Sequence, residues 1–151
     1  MSIVFPLQAV ASALEGMVAA GWPDVTASIL YETDPMRLLL DRQSSPQVAV
    51  VWGAVSGEPD WGPTVGAYTL EVDVFYFRRA EAPASLEAAM RAKAAALLSQ
   101  GLEAGNRWNG VPGMHGWRLR DAKAPEAARA WRASGWAVAH IPLEVRFDYE
   151  R

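Results

Sequence analysis

The sequence predicts an α+β fold, a mainly antiparallel sheet with long strands packed by two principal helices, and three observations predict it. Two long segments, Tyr68 to Ala80 and Trp136 to Tyr149, alternate apolar and polar residues. A third segment, Ser85 to Leu102, is alanine-rich and repeats its apolar residues at helical spacing. Alternation marks strands with one buried face, and the order helix, strands, helix, strands is typical of α+β proteins.

Length and composition place limits on the kind of protein. The chain has 151 residues, no cysteine and a net charge of -3. We expect a single domain over residues 1–151, which buries roughly 70% of its unfolded surface. No apolar run approaches the roughly 20 residues that span a bilayer, and the start lacks a basic leader region. We therefore expect a soluble, intracellularly made protein without disulfides.

The first element is predicted to be a helix with Pro6 in its first turn and Gly21 at its C-terminal end. Its apolar residues follow the i, i+3, i+4, i+7 spacing of one face: Leu7, Val10, Ala11, Leu14, Met17 and Val18. Three short apolar runs follow, over residues 28–31, 37–40 and 47–52, with turn residues between them. They predict a strand meander.

Residues 53–66 contain four glycines and two prolines among 14 residues, which predicts a loop without regular structure. Trp61 lies in this loop. The tryptophan either packs onto its own core or is offered to a partner, because tryptophan is enriched at interfaces.

The two long strands each place charges opposite an apolar face. The first puts Tyr68, Leu70, Val72, Val74 and Tyr76 on one face; the second puts Ala137, Ala139, Ile141, Leu143, Val145, Phe147 and Tyr149 on one face. The opposite faces carry Glu71 and Asp73 in one strand, and Glu144, Arg146 and Asp148 in the other. The sequence therefore predicts a sheet with one buried face and one charged wall.

The remaining segments predict one long helix and several short elements. Ser85 is a candidate N-cap for the helix that runs to Leu102. A glycine-rich loop is predicted over residues 101–116, a short strand over 117–122 and a short helix over 125–133. Pro142 interrupts the last strand, so we expect a bulge there or an edge that faces solvent.

Charge is unevenly distributed along the chain. Residues 1–60 hold seven acids against two arginines. Residues 107–132 hold six basic residues against Asp121 and Glu126. Such asymmetry either guides the acidic surface of one copy to the basic surface of another or marks two solvated surfaces.

The chemistry of an active site is not evident in the sequence. His115 and His140 are the two histidines, and neither has an adjacent catalytic partner. His140 is expected at the surface or in an interface. Metal-ligand spacing, a Walker motif, a GxGxxG turn and a GxSxG elbow are all missing. We therefore expect no enzyme activity and no cofactor.

The order of elements and three motifs carry a resemblance that covers nearly the whole chain. The motifs are SSPQVAVVW, the long strand YTLEVDVFYFRRA followed by an alanine-rich helix, and the closing LEVRFDYER. The chain resembles the tail terminator and tail completion proteins of long-tailed phages, which are related to head-tail connector proteins. The resemblance implies a tail-terminator-like fold.

The same resemblance implies an assembly role. Proteins of this family form rings, commonly hexameric, that cap the tail tube, stop its growth and present a surface to the head. The implied partners are further copies of the chain, the tail tube protein and head connector proteins, with DNA passing unbound and no membrane. The implied location is the virion tail or neck, after assembly in the host cytoplasm. The alternatives are a connector or neck protein of the same fold, a small-ligand binding domain built on the tryptophan-rich loops, and a bacterial adaptor.

The ring hypothesis also assigns roles to residues. Four acids either line the lumen, contact the next subunit or face solvent: Glu71, Asp73, Glu144 and Asp148. Five arginines are candidates for subunit contacts: Arg107, Arg118, Arg120, Arg129 and Arg132. Three loop residues are candidates for contact with the tube or connector: Trp61, Trp108 and His115.

Overall fold

The computed structural model describes residues 6–41, 43–58, 65–79 and 87–150, which form an α+β fold. The helices are α1 (Leu7–Gly21), α2 (Glu87–Ala104) and α3 (Ala127–Ala133). The strands are β1 (Leu30–Glu32), β2 (Gln47–Glu58), β3 (Val65–Arg79), β4 (Met114–Leu119) and β5 (Trp136–Glu150). The predicted positions of the first helix, of the long alanine-rich helix and of both long strands are confirmed. The proposed N-cap Ser85 lies outside the described residues.

The strands form one sheet in the order β1-β2-β3-β5-β4. The pairings β2/β3, β3/β5 and β5/β4 are antiparallel, whereas β1 runs parallel to β2. The predicted meander is therefore wrong at its start. The run 37–40 is not a strand in the structure: a 3-10 turn covers Pro35–Arg37, with the Asp34 side chain accepting from the Met36 N–H, and residues 38–41 have no regular structure.

One face of the sheet carries the larger core. Helices α1 and α2 cover it, and α1 contributes Val10, Leu14, Met17 and Val18 from a single stripe. Most of the predicted apolar face of each long strand belongs to this core, from Leu70 to Tyr76 in β3 and from Ala137 to Phe147 in β5. Trp22, just after α1, is fully buried and donates from Nε1 to the Lys93 carbonyl at 2.8 Å. The donation ties the end of α1 to α2.

The opposite face is charged over only half of its length, which corrects the prediction of one continuous charged wall. Phe75 and Phe77 of β3 lie on this face and are fully buried. Trp131 of α3 packs edge-on against both, with ring centroids 5.1 and 4.9 Å away. Alternation along β3 breaks at these phenylalanines because a third helix supplies a second, smaller core.

The predicted loop over residues 53–66 is also largely wrong, since β2 runs to Glu58 and β3 begins at Val65. Glycine serves close packing here rather than a turn. A Cβ on Gly53 would lie 2.9 Å from Cβ of Glu71, and one on Gly57 would overlap the ring of Tyr68. Glycine inside a strand often marks such an approach or a bulge, and the register does shift between Trp52 and Val55.

Pro142 lies in continuous register with Asp73, so the predicted bulge at this position is wrong. Its carbonyl accepts from the Arg120 N–H at 2.8 Å, just beyond the end of β4. The nitrogen of Pro142, which has no hydrogen to donate, therefore lies on the side of β5 that faces the chain just after the end of β4. The β4/β5 ladder thus stops at the proline, which cannot return a hydrogen bond to Arg120.

Candidate functional site

The charged half of the sheet, called here the charged wall, is built by β3, β4 and β5. Register places Glu71 directly opposite Glu144, and Asp73 opposite Pro142. Like charges directly opposite each other destabilise a sheet unless something neutralises them. The structure supplies that neutralisation from Arg118, which is paired with Glu144 in β4, and from Arg120 just after it.

Asp73 is the centre of the most buried part of this wall. Its Oδ1 accepts from Nη2 of Arg120 at 2.8 Å and lies 2.6 Å from Nε2 of His140. The side chains of all three are at most one-fifth exposed. The imidazole of His140 stacks on Phe75 with centroids 4.7 Å apart, which fixes its orientation. His140, expected at the surface or in an interface, is instead a mostly covered link between the charged wall and the smaller core.

The other acids of the wall also have basic partners in the same chain. Glu144 accepts from Nε and Nη2 of Arg118 at 3.1 and 3.0 Å. Asp148 lies 2.8 Å from Nδ1 of His115. Glu71 is 3.6 Å from Nη1 of Arg120. These pairs hold β3, β4 and β5 together on the solvent side of the sheet.

The five arginines proposed for subunit contacts fall into two groups. Arg118 and Arg120 are committed to acids of their own chain. The other three are exposed and form no ion pair within the described part of the chain: Arg107, Arg129 and Arg132. The second group keeps its charge available to a partner.

The three predicted contact residues differ in their placement. Trp61 lies outside the described residues. Trp108 is 3% exposed and packs in the main core beside Trp117, so its predicted role as an exposed contact is not supported. His115 belongs to β4 rather than to a loop, and about half of its side chain is exposed.

Trp117, which the sequence did not single out, packs on the outer side of β4. Its ring lies against the backbone of α2, where a Cβ on Gly101 would be 2.9 Å from the indole. Its Nε1 donates to the Gly105 carbonyl at 2.9 Å. A glycine within an otherwise alanine-rich helix is a signal for close packing at Gly101. The sequence does not indicate that Trp117 is the residue that packs there.

Two grooves meet at Trp117. One, of about 570 Å³, runs over the open end of the charged wall and is lined by Ser56, Thr69, Glu144 and Arg146 among others. The second, of about 350 Å³, lies at the sheet edge formed by β4, and we call it the edge groove. Its lining is mainly apolar: Leu98, Leu102, Trp117 and Leu119, with Asn106 and Arg118 at its rim.

The other outer strand of the sheet, β1, leads into a second exposed apolar region. We call residues 34–41 the apolar turn. Met36 is 70% exposed and Leu39 is 87% exposed, whereas Leu38 and Leu40 pack against the smaller core. Exposed leucines occur singly on many surfaces, and two exposed apolar side chains three residues apart make this turn a candidate contact surface.

One further cluster, around Asp24, stabilises the fold rather than forming a site. Asp24 accepts from the Tyr76 hydroxyl at 2.5 Å and from Nζ of Lys93 at 2.9 Å. Burial acts to raise the pKa of Asp24, but these hydrogen bonds outweigh it and hold the pKa below its ordinary value. Burial and the Asp24 carboxylate together raise the pKa of Tyr76, so its hydroxyl stays a donor.

Over the described ranges, no cluster of three or more histidine, cysteine or carboxylate side chains could hold a metal ion. Among the same residues, no helix is long and apolar enough to cross a membrane.

No protein-family model and no curated protein matches the chain. A solved structure that is similar is the sheath/tube terminator of an extracellular contractile injection system, PVC, in its extended state. The two chains share 12% identity with a TM-score of 0.48, over 100% of this chain and 58% of the other. The present chain thus spans less than two thirds of that protein, and a likeness this distant decides neither role nor partners.

Proposed function

We propose that this protein is a tail terminator, whose copies form a hexameric ring that caps a tail tube, stops its growth and presents a surface to the head. The observation that carries the proposal is that both outer strands of the sheet lie beside exposed apolar side chains. Met36 and Leu39 follow β1, whereas Leu119 is the last residue of β4 and lines one groove with Leu102 of α2. Exposed apolar clusters of this kind are covered when subunits assemble.

The position of the two clusters favours a ring over a two-fold dimer. The strand order puts β1 and β4 at opposite edges of the sheet. When one patch of a subunit binds a different patch of the next subunit, the same contact repeats from copy to copy. The assembly closes into a ring when the rotation between neighbouring subunits brings the last copy back to the first. A two-fold dimer would instead use one patch on both copies.

The charged wall suits a surface that DNA passes without being held. It carries four carboxylates, those of Glu71, Asp73, Glu144 and Asp148, against the guanidinium groups of Arg118, Arg120 and Arg146. Non-specific affinity for DNA comes mainly from cations that neutralise phosphates. A wall whose arginines are largely paired with its own acids offers few such cations, so we assign it to the lumen.

Contacts with the tube and the head connector are assigned to the ends of the long strands. His115 is exposed at the start of β4, next to the loop over residues 105–113. Trp61 belongs to the connection between β2 and β3 and is kept as a candidate contact. In this proposal the ring is part of the virion tail or neck and acts without a cofactor.

Light scattering coupled to size-exclusion chromatography, with and without tail tube protein, tests the proposed function. We expect a defined oligomer, and electron micrographs should show rings at the ends of tubes whose length no longer increases. A chain that stays monomeric and never associates with tubes would refute the proposal. Rings that bind a head connector but ignore the tube would replace the terminator role with that of a connector.

A further inference from the structure

The chain has two asparagines, Asn106 and Asn109, and both lie in the loop between α2 and β4. Glycine follows only Asn109. We propose that Asn109 is a site of spontaneous modification, at which the side-chain amide is lost and aspartate or isoaspartate is formed. Water is the only other reactant, so the reaction is independent of the proposed function and needs no partner.

Asn109 and Gly110 are the central residues of a tight turn. The Val111 N–H donates to the Trp108 carbonyl at 3.2 Å, and Gly110 has a φ of 79°. No residue other than glycine has a positive φ in the part of the chain that the structure describes, so the φ of Asn109 is negative. This combination is typical of a type II turn, whose single hydrogen bond leaves the N–H of the second central residue unused.

The backbone nitrogen of Gly110 is open to its surroundings. Asn109 and Gly110 are both exposed, and a Cβ on Gly110 would have no heavy atom within 4 Å. Within the described residues, no hydrogen bond engages the Gly110 N–H. Nothing therefore holds this nitrogen away from the Asn109 side chain, and glycine has the widest backbone freedom to bring the two together.

The reaction balances without an oxidant or a reductant. The Gly110 nitrogen bonds to Cγ of Asn109, and the side-chain nitrogen leaves as ammonia with the proton that Gly110 gives up. The product is a cyclic imide, and water opens one of its C–N bonds. Cleavage at Cγ gives aspartate. Cleavage at the backbone carbonyl gives isoaspartate, whose main chain is longer by one methylene group.

The two products should affect the fold differently, because both ends of the turn belong to the larger core. Trp108 is 3% exposed and its N–H donates to Sδ of Met114 at 3.2 Å, and Val111 is 9% exposed. Aspartate keeps the backbone and adds only an exposed charge. Isoaspartate adds a backbone atom between two anchored residues, so the hydrogen bond from Val111 to Trp108 loses its geometry. We therefore expect isoaspartate to loosen the packing of Trp108.

Peptide mapping of the intact protein after incubation at mildly alkaline pH tests the site. Trypsin separates the two asparagines into residues 94–107 and 108–118, and fragmentation of each peptide locates any amide that has become an acid. Asn106 is the matched internal control, since it is also exposed but precedes Arg107, whose side chain crowds the attacking nitrogen. We expect Asn109 to react about tenfold faster or more, which corresponds to about 1.4 kcal/mol in activation free energy.

Two variants complete the test. Asn109→Gln should abolish the change in residues 108–118, because the longer side chain forms the cyclic imide far more slowly. Freshly purified Asn109→Asp, which carries the charge on an unchanged backbone, should keep the urea midpoint of the parent, whereas the incubated parent should unfold at lower urea as isoaspartate accumulates. Equal rates at the two asparagines would overturn the assignment of the site. A midpoint that stays constant while isoaspartate forms would overturn its effect on Trp108.

Discussion

Removal of the Asp73 side chain is expected to be the most damaging change on the charged wall. Asp73→Ala deletes the acceptor shared by Arg120 and His140. The Arg120 side chain is 19% exposed, and its Nε is already buried without a hydrogen-bond partner in the described structure. The variant therefore leaves a mostly buried guanidinium with only Glu71, 3.6 Å away, as its counter-charge.

The size of the effect follows from the two lost contacts. A hydrogen bond to a charged group contributes about 1.5–3 kcal/mol, so two of them contribute roughly 3–6 kcal/mol if independent. The contacts share one oxygen and are partly solvated, so we expect about 3 kcal/mol. In a domain of this size, that loss lowers Tm by roughly 6–12 °C.

Urea denaturation followed by tryptophan fluorescence measures the change, with the slope against urea checked for constancy. The matched control is Glu144→Ala, which breaks the pair with Arg118 on the same wall. Glu144 is as covered as Asp73, at 18% exposed, but its partner Arg118 is 75% exposed against 19% for Arg120, and pairs open to solvent on one side contribute about 0–1 kcal/mol. The two variants could lose equal free energies of unfolding, or Asp73→Ala could lose less than about 1 kcal/mol. Either result would refute the idea that burial makes the Asp73 network more stabilising than the pair of Glu144 and Arg118.

Three further predictions concern other parts of the molecule. Gly101→Ala should lower the free energy of unfolding by about 1 kcal/mol because its Cβ meets the Trp117 ring, whereas Gly16→Ala, with open space around it, should raise it by about 0.5–1 kcal/mol in the same urea titration. Asp24→Asn should weaken the dependence of the unfolding free energy on pH at low pH. The pKa of Asp24 in the folded protein lies below its unfolded value of 3.8. The ionised carboxylate therefore stabilises the fold fully above pH 3.8, and this contribution is lost as the pH falls through the folded pKa. Urea midpoints measured across that range would contradict this if both proteins lost stability in parallel. Leu39→Asp should leave the urea midpoint within about 0.5 kcal/mol of the parent but weaken self-association by about tenfold or more in sedimentation, and unchanged association would count against burial of the apolar turn in a subunit contact.

Much of the secondary structure follows from local pattern. Helix α1 and strands β3 and β5 have apolar residues at the spacing of their own element, so their existence needs no knowledge of the rest of the chain. The parallel pairing of β1 and the reach of β2 beyond Gly53 do not follow in this way. Both depend on which strand lies alongside, and glycine composition alone predicts a loop where the structure packs Gly53 against Glu71.

The candidate site shows the same division. Alternation is enough to place Glu71, Asp73, Glu144 and Asp148 on one face of two strands. It contains no information on their partners, because Arg118, Arg120 and His115 reach them through strand register and a third strand. The burial of Trp108 beside Trp117 and the 72% exposure of Leu102 are likewise tertiary outcomes.

By itself the sequence determines an α+β chain with two long half-buried strands, a charged face and no evident catalytic motif. The tertiary structure decides that a third helix covers half of that charged face, that the remaining acids are paired within the chain, and that the two sheet edges carry exposed apolar residues. The physical reason is the distance along the sequence over which each kind of interaction acts. Periodicity reports burial within one element, whereas ion pairs and open edges depend on residues far apart in sequence that only the sheet brings together.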